Sequence, residues 1–272
     1  MYESFFGFEE KPFTHTPNTK FLYLSEQHEG VLKTLLYGLE SRIGFTLLTG
    51  EVGSGKTTTI RTLLNLVGRA IETCFIFNPL VNTLDLLRSI NRDFGNEWET
   101  SSTQKQIDIL NQYLLAINAE GKTAAVIIDE SQNLSFEALE MIRMLSNLET
   151  ESEKLLNIIL VGQPELEEKL ATKNLRQLSQ RIQIHVKLQP LSLSQTMGYI
   201  QHRLNISGSK VAAHFERNTI KKIYKKSRGI PRLINSICDL SLMAAYCSNT
   251  RVIDNKVLTR ALKEVPSYVT HP

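Results

Sequence analysis

Gly50-Glu51-Val52-Gly53-Ser54-Gly55-Lys56-Thr57 fits the pattern G-x-x-x-x-G-K-S/T. The residue types dictate a chemistry. Glycines let a loop wrap closely around an anion, so that successive backbone N–H groups point inward. A helix that starts where the loop ends adds the positive end of its dipole. Lys56 then reaches the β- and γ-phosphates of a nucleotide, and the Thr57 hydroxyl ligates Mg2+. The setting agrees, because an apolar run at residues 45–49 precedes the loop and a helical pattern at residues 58–67 follows it. The candidate phosphate contacts are Gly50, Glu51, Val52, Gly53, Ser54, Gly55, Lys56 and Thr57, with Thr58 where the helix opens.

Downstream, Ala124-Ala125-Val126-Ile127-Ile128-Asp129-Glu130 is an apolar strand that ends in two carboxylates. At the carboxyl end of a parallel strand beside a phosphate loop, Asp129 suits the Mg2+ shell and Glu130 suits a general base for water. Residues 157–162 end in Gln163-Pro164, which puts a polar side chain at a strand tip next to Asp129. There it can touch a γ-phosphate or orient the water; the plainer alternative is a turn residue that caps a helix. Ser179-Gln180-Arg181 precedes a strand, and Arg181 can project across a subunit boundary to stabilise phosphate charge, with Arg176 as its rival. Arg232 sits in the first turn of a helix, where the macrodipole disfavours a cation, so contact with phosphate is the reading its position suggests.

Five short apolar runs, at residues 45–49, 74–78, 124–129, 157–162 and 182–188, are mostly separated by helical stretches. Such alternation predicts an α/β fold with a parallel sheet between helices. The first four runs look buried on both faces. The fifth alternates Ile182, Ile184, Val186 and Leu188, which predicts an edge strand with one wet face. The strand at 74–78 falls between phosphate loop and acidic strand in sequence, which suggests an extra strand inserted between them. After Pro190 only helical patterns remain. The expected organisation is an α/β domain over residues 1–190, with an aromatic segment at 1–24 packed on it, a small all-helical lid at 191–265 and a tail at 266–272.

Composition sets outer limits. A net charge of +3 over 272 residues neither demands nor excludes nucleic acid. Cys74, Cys238 and Cys247 form no C-x-x-C pair and read as reduced thiols. The start lacks the basic and apolar pattern of a signal peptide, and no apolar run approaches the roughly 20 residues of a membrane helix, so the expectation is a cytoplasmic protein without membrane insertion. Lys221, Lys222, Lys225, Lys226 and Arg228 cluster on one helix of the lid. They suit either contact with the phosphates of duplex DNA or a solvated outer face. Trp98 is solitary in a polar stretch and is assigned no role.

With these residues in place the chain resembles the AAA+ ATPases over nearly its whole length. Residues 50–57 resemble the Walker A motif and residues 124–130 the Walker B motif. Gln163 stands at the sensor 1 position, Arg181 at the arginine finger, and Gly229-Ile230-Pro231-Arg232 resembles the sensor 2 motif of the helical lid. A narrower resemblance is to the ExeA (GspA) family. It is carried by Tyr2-x-x-Phe5-Phe6-Gly7, Lys11-Pro12-Phe13, Thr16-Pro17 and Phe21-Leu22-Tyr23, and again by Val161-Gly162-Gln163-Pro164-Glu165-Leu166 and Arg228-Gly229-x-Pro231-Arg232-Leu233-Ile234-Asn235. That family includes ATPases of type II secretion and MSHA pilus biogenesis, and is similar to transposition ATPases of the TnsC, TniB and MuB kind. The resemblance implies ATP and Mg2+ as ligands, hydrolysis within a self-assembled ring or filament, and a protein partner from a secretion or pilus system. The transposition relatives imply duplex DNA and a transposase instead. Secretion members usually continue into a membrane helix and a periplasmic peptidoglycan-binding domain, neither of which is in these 272 residues.

Overall fold

The computed structural model describes residues 1–14, 16, 18–77, 79, 82–96, 100–151, 153–208 and 213–264. In chain order the elements are α1 (Tyr2–Phe6), α2 (Glu26–Glu40), β1 (Phe45–Gly50), α3 (Lys56–Leu66), β2 (Ile71–Ile76), α4 (Thr83–Asp93), α5 (Thr103–Ala119) and β3 (Thr123–Ile128). There follow α6 (Phe136–Leu145), β4 (Leu156–Gly162), α7 (Pro164–Leu170), α8 (Arg176–Ser179) and β5 (Ile182–Leu188). The last are α9 (Leu193–Ile206), β6 (His214–Phe215), α10 (Arg217–Ser227), α11 (Pro231–Cys247), β7 (Val252–Ile253) and α12 (Asn255–Glu264). Helix starts are written locally. Asn82, Ser102, Ser135 and Ser192 each accept a hydrogen bond from the backbone N–H three residues on. Pro164 and Pro231 occupy first turns, where the missing N–H costs nothing.

Two compact units divide the chain. Residues 29–50 and 59–188 form a sheet unit; residues 1–28, 51–58 and those from 189 on form a helical unit.

In the sheet unit, five strands pair in the order β2-β3-β4-β1-β5, all parallel. Alternate side chains feed two cores. Phe45, Leu47, Val126, Ile128, Ile158 and Leu160 face α4 to α8, whereas Leu48, Ala125, Ile127, Ile159 and Val161 face α2 and α3. The central strands are therefore buried on both faces, as their unbroken apolar runs require. Asn157 is the buried polar exception on β4, and both ends of its amide are used: its Oδ1 accepts from Gly44 N at 3.1 Å and its Nδ2 donates to the Leu39 carbonyl at 3.3 Å.

Two expectations about strands need correction. β2 is not buried on both faces but half-buried, because it is an outer strand paired with β3 alone. It is also not the strand inserted between loop and acid pair. That place belongs to β4, which comes later in the chain but lies between β1 and β3. The alternating fifth run is the other outer strand, with the expected wet face.

The helical unit is built from α1 and α9 to α12 around a core that includes Ile223, Ile234, Cys238 and Leu242. The aromatic N-terminal segment, expected on the α/β domain, places Tyr2, Phe6, Phe8 and Phe13 in this helical core. Phe6 is fully buried, and burying such a side chain is worth roughly 2–3 kcal/mol. Polar links hold the segment too: Arg203, itself buried, donates from Nη1 to the Pro12 carbonyl at 2.9 Å, and Asn235 Nδ2 donates to the Thr14 carbonyl at 3.1 Å. The Tyr2 phenol hydrogen-bonds Asp239, and burial together with that bond pushes its pKa above the usual range. The expectation of helices alone after residue 190 also needs adjusting, since β6 and β7 pair as a two-residue parallel ladder. Trp98 and Asn78 lie outside the described residues.

Candidate functional site

The phosphate-type loop falls in the helical unit. β1 ends at Gly50 and α3 begins at Lys56, so the loop is the five residues between. Gly53 and Gly55 have φ of +78° and +106°, a region open to glycine at little cost. The Arg232 backbone N–H donates to the Gly53 carbonyl at 3.2 Å, and the Arg232 side chain covers the glycine. A Cβ on Gly53 would stand 2.4 Å from Arg232 Cβ. Lys56 is buried, and its Nζ donates to the Glu51 carbonyl at 3.1 Å. The Ser54 hydroxyl is buried with no hydrogen-bond partner, so its bonding capacity is unused. Thr57 and Thr58 follow at the start of α3, where the helix N-terminus adds its positive end.

In the sheet unit, parallel pairing brings the carboxyl ends of β1, β3 and β4 to one edge. Thr49 pairs with Gly162 and Ile128 with Leu160, so Gly50, Asp129 and Gln163 end neighbouring strands. β4 separates β1 from β3, a lateral distance of about 10 Å at normal strand spacing. Asp129 is fully buried, and its Oδ1 accepts from the Glu130 N–H at 2.9 Å. Glu130 has φ 53° and ψ 38°, left-handed backbone that is uncommon for a residue with a side chain. Its Oε2 accepts from Gln163 Nε2 at 3.0 Å and from Gln132 Nε2 at 2.6 Å. No sequence motif singled out Gln132; its position two residues past Glu130 was the only available signal.

α7, which follows Gln163, is tied down at its first turns. The carboxyl of Glu167 is held below the usual range by a hydrogen bond from Thr49 at the tip of β1 and by Lys187 and His185 of β5, against opposing burial. Lys187 Nζ lies 3.1 Å from Glu167 Oε1, and Thr49 Oγ1 is 2.9 Å from His185 Nε2.

Arg181 stands apart. It precedes β5 at the amino end of the sheet, and its Nη1 donates to Ser146 Oγ at 2.7 Å. The length of β5 puts it about 20 Å from the edge that carries Glu130, so Arg181 cannot serve the site of its own sheet. Arg176 is exposed at the start of α8.

The donors present fit a nucleotide with Mg2+. Two left-handed glycines, an unused buried hydroxyl and a lysine at a helix start suit phosphate. The Thr57 hydroxyl of the helical unit and the Asp129 carboxylate of the sheet unit are each of the oxygen type that Mg2+ takes. Among the described residues no group of three or more His, Cys, Asp or Glu could hold a metal by protein ligands alone. Among the same residues no helix is long and apolar enough to cross a membrane.

A parallel sheet in the order β2-β3-β4-β1-β5, with a glycine loop after β1 and an Asp-Glu pair after β3, is the nucleotide-binding fold of the AAA+ P-loop NTPases, and the chain has that fold. Residues 39–170 match the AAA domain family. Beyond the class, the chain is 42% identical to general secretion pathway protein A of Aeromonas hydrophila over 97% of its own length and 48% of that protein's. It thus spans about half the length of that relative. Among solved structures it is similar to the ORC2 protein of Aeropyrum pernix in its ADPNP-ADP complexes, at TM-score 0.68 and 17% identity, covering 95% of this chain and 73% of that one. It is similar also to the ORC1 protein of the same organism in complex with DNA, at TM-score 0.67 and 13% identity, covering 94% and 70%.

Proposed function

We propose that this chain binds ATP with Mg2+, hydrolyses it, and acts as an oligomeric switch in a secretion pathway, the last supported by its similarity to the secretion protein. The loop and Lys56 bind the phosphates, with Arg232 beside them. Thr57 and Asp129 hold Mg2+, which supplies charge neutralisation at the phosphates. Glu130 takes the proton of the attacking water, Gln163 positions it, and Arg181 acts on the nucleotide of a neighbouring subunit. The observation that carries the reading is a left-handed Gly53 turn covered by the stem of Arg232, with the ammonium of buried Lys56 bonded to the same loop at the Glu51 carbonyl. The partner on this reading is a component of a secretion or pilus assembly, and the compartment is the cytoplasm, where ATP is.

The test is ATP turnover by the purified chain, with Lys56→Ala and Glu130→Gln as variants. Lys56→Ala should lose nucleotide binding. Glu130→Gln should bind and turn over about 100- to 10,000-fold more slowly. Full turnover in Glu130→Gln would remove the base from Glu130.

One observation favours a second reading, a DNA-binding regulator. Lys221, Lys222, Lys225, Asn218 and Tyr224 line a groove of about 460 Å3 along α10, and among the described residues no acidic side chain lines it. Leu193 and Asn255 complete its lining, and it is the three lysine ammonium groups that suit phosphodiesters. Binding of duplex DNA that needs an ATP analogue and weakens steeply with salt supports this reading, and absence of binding at low salt removes it.

A further inference from the structure

One side-chain amide joins the tips of β3 and β4. Gln132 Nε2 donates to Glu130 Oε2 at 2.6 Å, and Gln132 Oε1 accepts the backbone N–H of Gln163 at 3.2 Å. The Gln163 side chain closes the triangle by donating to the same Glu130 oxygen at 3.0 Å. The turn that carries Gln132 is itself anchored. Ser131 Oγ donates to the Ile128 carbonyl at 2.7 Å, Asn133 N to the Glu130 carbonyl at 2.9 Å, and Lys169 Nζ of α7 to the Gln132 carbonyl at 3.2 Å. Gly162 leaves room for the amide, since a Cβ there would stand 3.0 Å from Gln132 Oε1 and 2.6 Å from Leu166 Cδ2.

We propose that Gln132 is a positioning residue for ATP hydrolysis: its amide holds the Glu130 carboxylate and the Gln163 backbone in one fixed register. The proposal rests on the ATPase reading above. Glu130, Gln132 and Gln163 are all half-buried at the carboxyl edge of the sheet rather than in a core. The backbone at Glu130 has already turned left-handed, so the strand no longer dictates where the carboxylate points. Two amide donors on one oxygen supply that direction. Because Gln132 also grips the backbone of Gln163, a shift at the β4 tip is transmitted to the base. A base must lie within a few tenths of an ångström of its productive place, and a 1 Å misplacement costs on the order of 100-fold.

Two substitutions separate the halves of the amide. Gln132→Met removes donor and acceptor at similar size. Gln132→Glu keeps an acceptor for the Gln163 N–H but sets a carboxylate against Glu130. Turnover is measured alongside the affinity for a fluorescent ATP analogue, which a collapsed loop or fold would lower. Both variants should lose about 10- to 100-fold in kcat with nucleotide affinity within about threefold of the wild type. Unchanged kcat in either variant overturns the proposal, and so does a fall in kcat matched by an equal fall in affinity. Wild-type protein that binds ATP without turning it over, alone and at high concentration, removes the ATPase reading and this proposal with it. Turnover that needs Glu130 but ignores Gln132 removes the positioning role alone.

Discussion

Arg232 and Gly53 are in van der Waals contact, and the arginine's own backbone N–H is bonded to the glycine's carbonyl at 3.2 Å. The phosphate-type loop is thus shaped partly by a helix from the far end of the chain. Gly53→Ala would force a side chain into a left-handed turn at φ +78° and 2.4 Å from Arg232 Cβ. Strain of that kind costs on the order of 1–3 kcal/mol. The variant should bind an ATP analogue at least about tenfold more weakly in a fluorescence titration. Equal affinity would show that the contact has no bearing on the loop's shape in solution.

Arg181 lies at the opposite end of the sheet from Glu130, so any service to a nucleotide has to be given in trans. Arg181→Ala should bind ATP normally yet turn it over poorly. Mixing Arg181→Ala with Lys56→Ala pairs an intact loop with an intact arginine across a subunit boundary, and part of the activity should return. No recovery at any ratio, in a mixture shown to co-assemble, would take the finger role from Arg181 and leave exposed Arg176 to be tested next.

Gly229 joins α10 to α11 at φ +77°, and a Cβ there would stand 2.0 Å from the Leu191 carbonyl oxygen. The same two residues share a hydrogen bond, Leu191 N to the Gly229 carbonyl at 2.9 Å. Backbone cannot step aside as a side-chain tip can. Gly229→Ala should therefore destabilise the protein by at least about 2 kcal/mol, read as a lowered Tm. A Tm within a degree of wild type would mean that the turn has another conformation available.

His28 is buried at the start of α2, where its backbone N–H donates to Ser25 Oγ at 3.4 Å and its Nδ1 lies 2.8 Å from the same hydroxyl. Burial holds its pKa below the ordinary value. The unfolded chain then takes up a proton at this residue at a pH where the folded chain does not. Stability from His28 is present above its unfolded pKa of about 6.5 and falls as the pH drops below it. Denaturant midpoints measured from pH 7.5 down to pH 5 should decline, and His28→Gln should flatten part of that decline. An unchanged slope in the variant would assign the acid sensitivity elsewhere.

Much of the candidate site is legible in the sequence. Phosphate chemistry needs a specific run of residue types at adjacent positions, so Gly53, Gly55, Lys56 and Thr57 declare themselves by spacing alone. Asp129 and Glu130 stand out as candidates only in company with that loop, because a charged pair that ends an apolar run is by itself as readily a solvated strand end. Parallel strands between helices follow from the length and apolarity of residues 124–129 and 157–162, since only burial on both faces tolerates such runs.

Long-range partnership lay beyond local patterning. Spacing could not say that β4 rather than β2 enters between β1 and β3, because strand order depends on which crossovers bury both faces of the sheet best, a global sum. It could not send Tyr2 and Phe6 to the helical core: apolar side chains say that they will be buried, not against what. Nor did it mark Gln132, whose contacts exist only once two strand tips come within reach of one amide. Residue chemistry acts over a few bonds and is written in the chain. Which surfaces meet is decided by packing, and only the folded molecule holds that information.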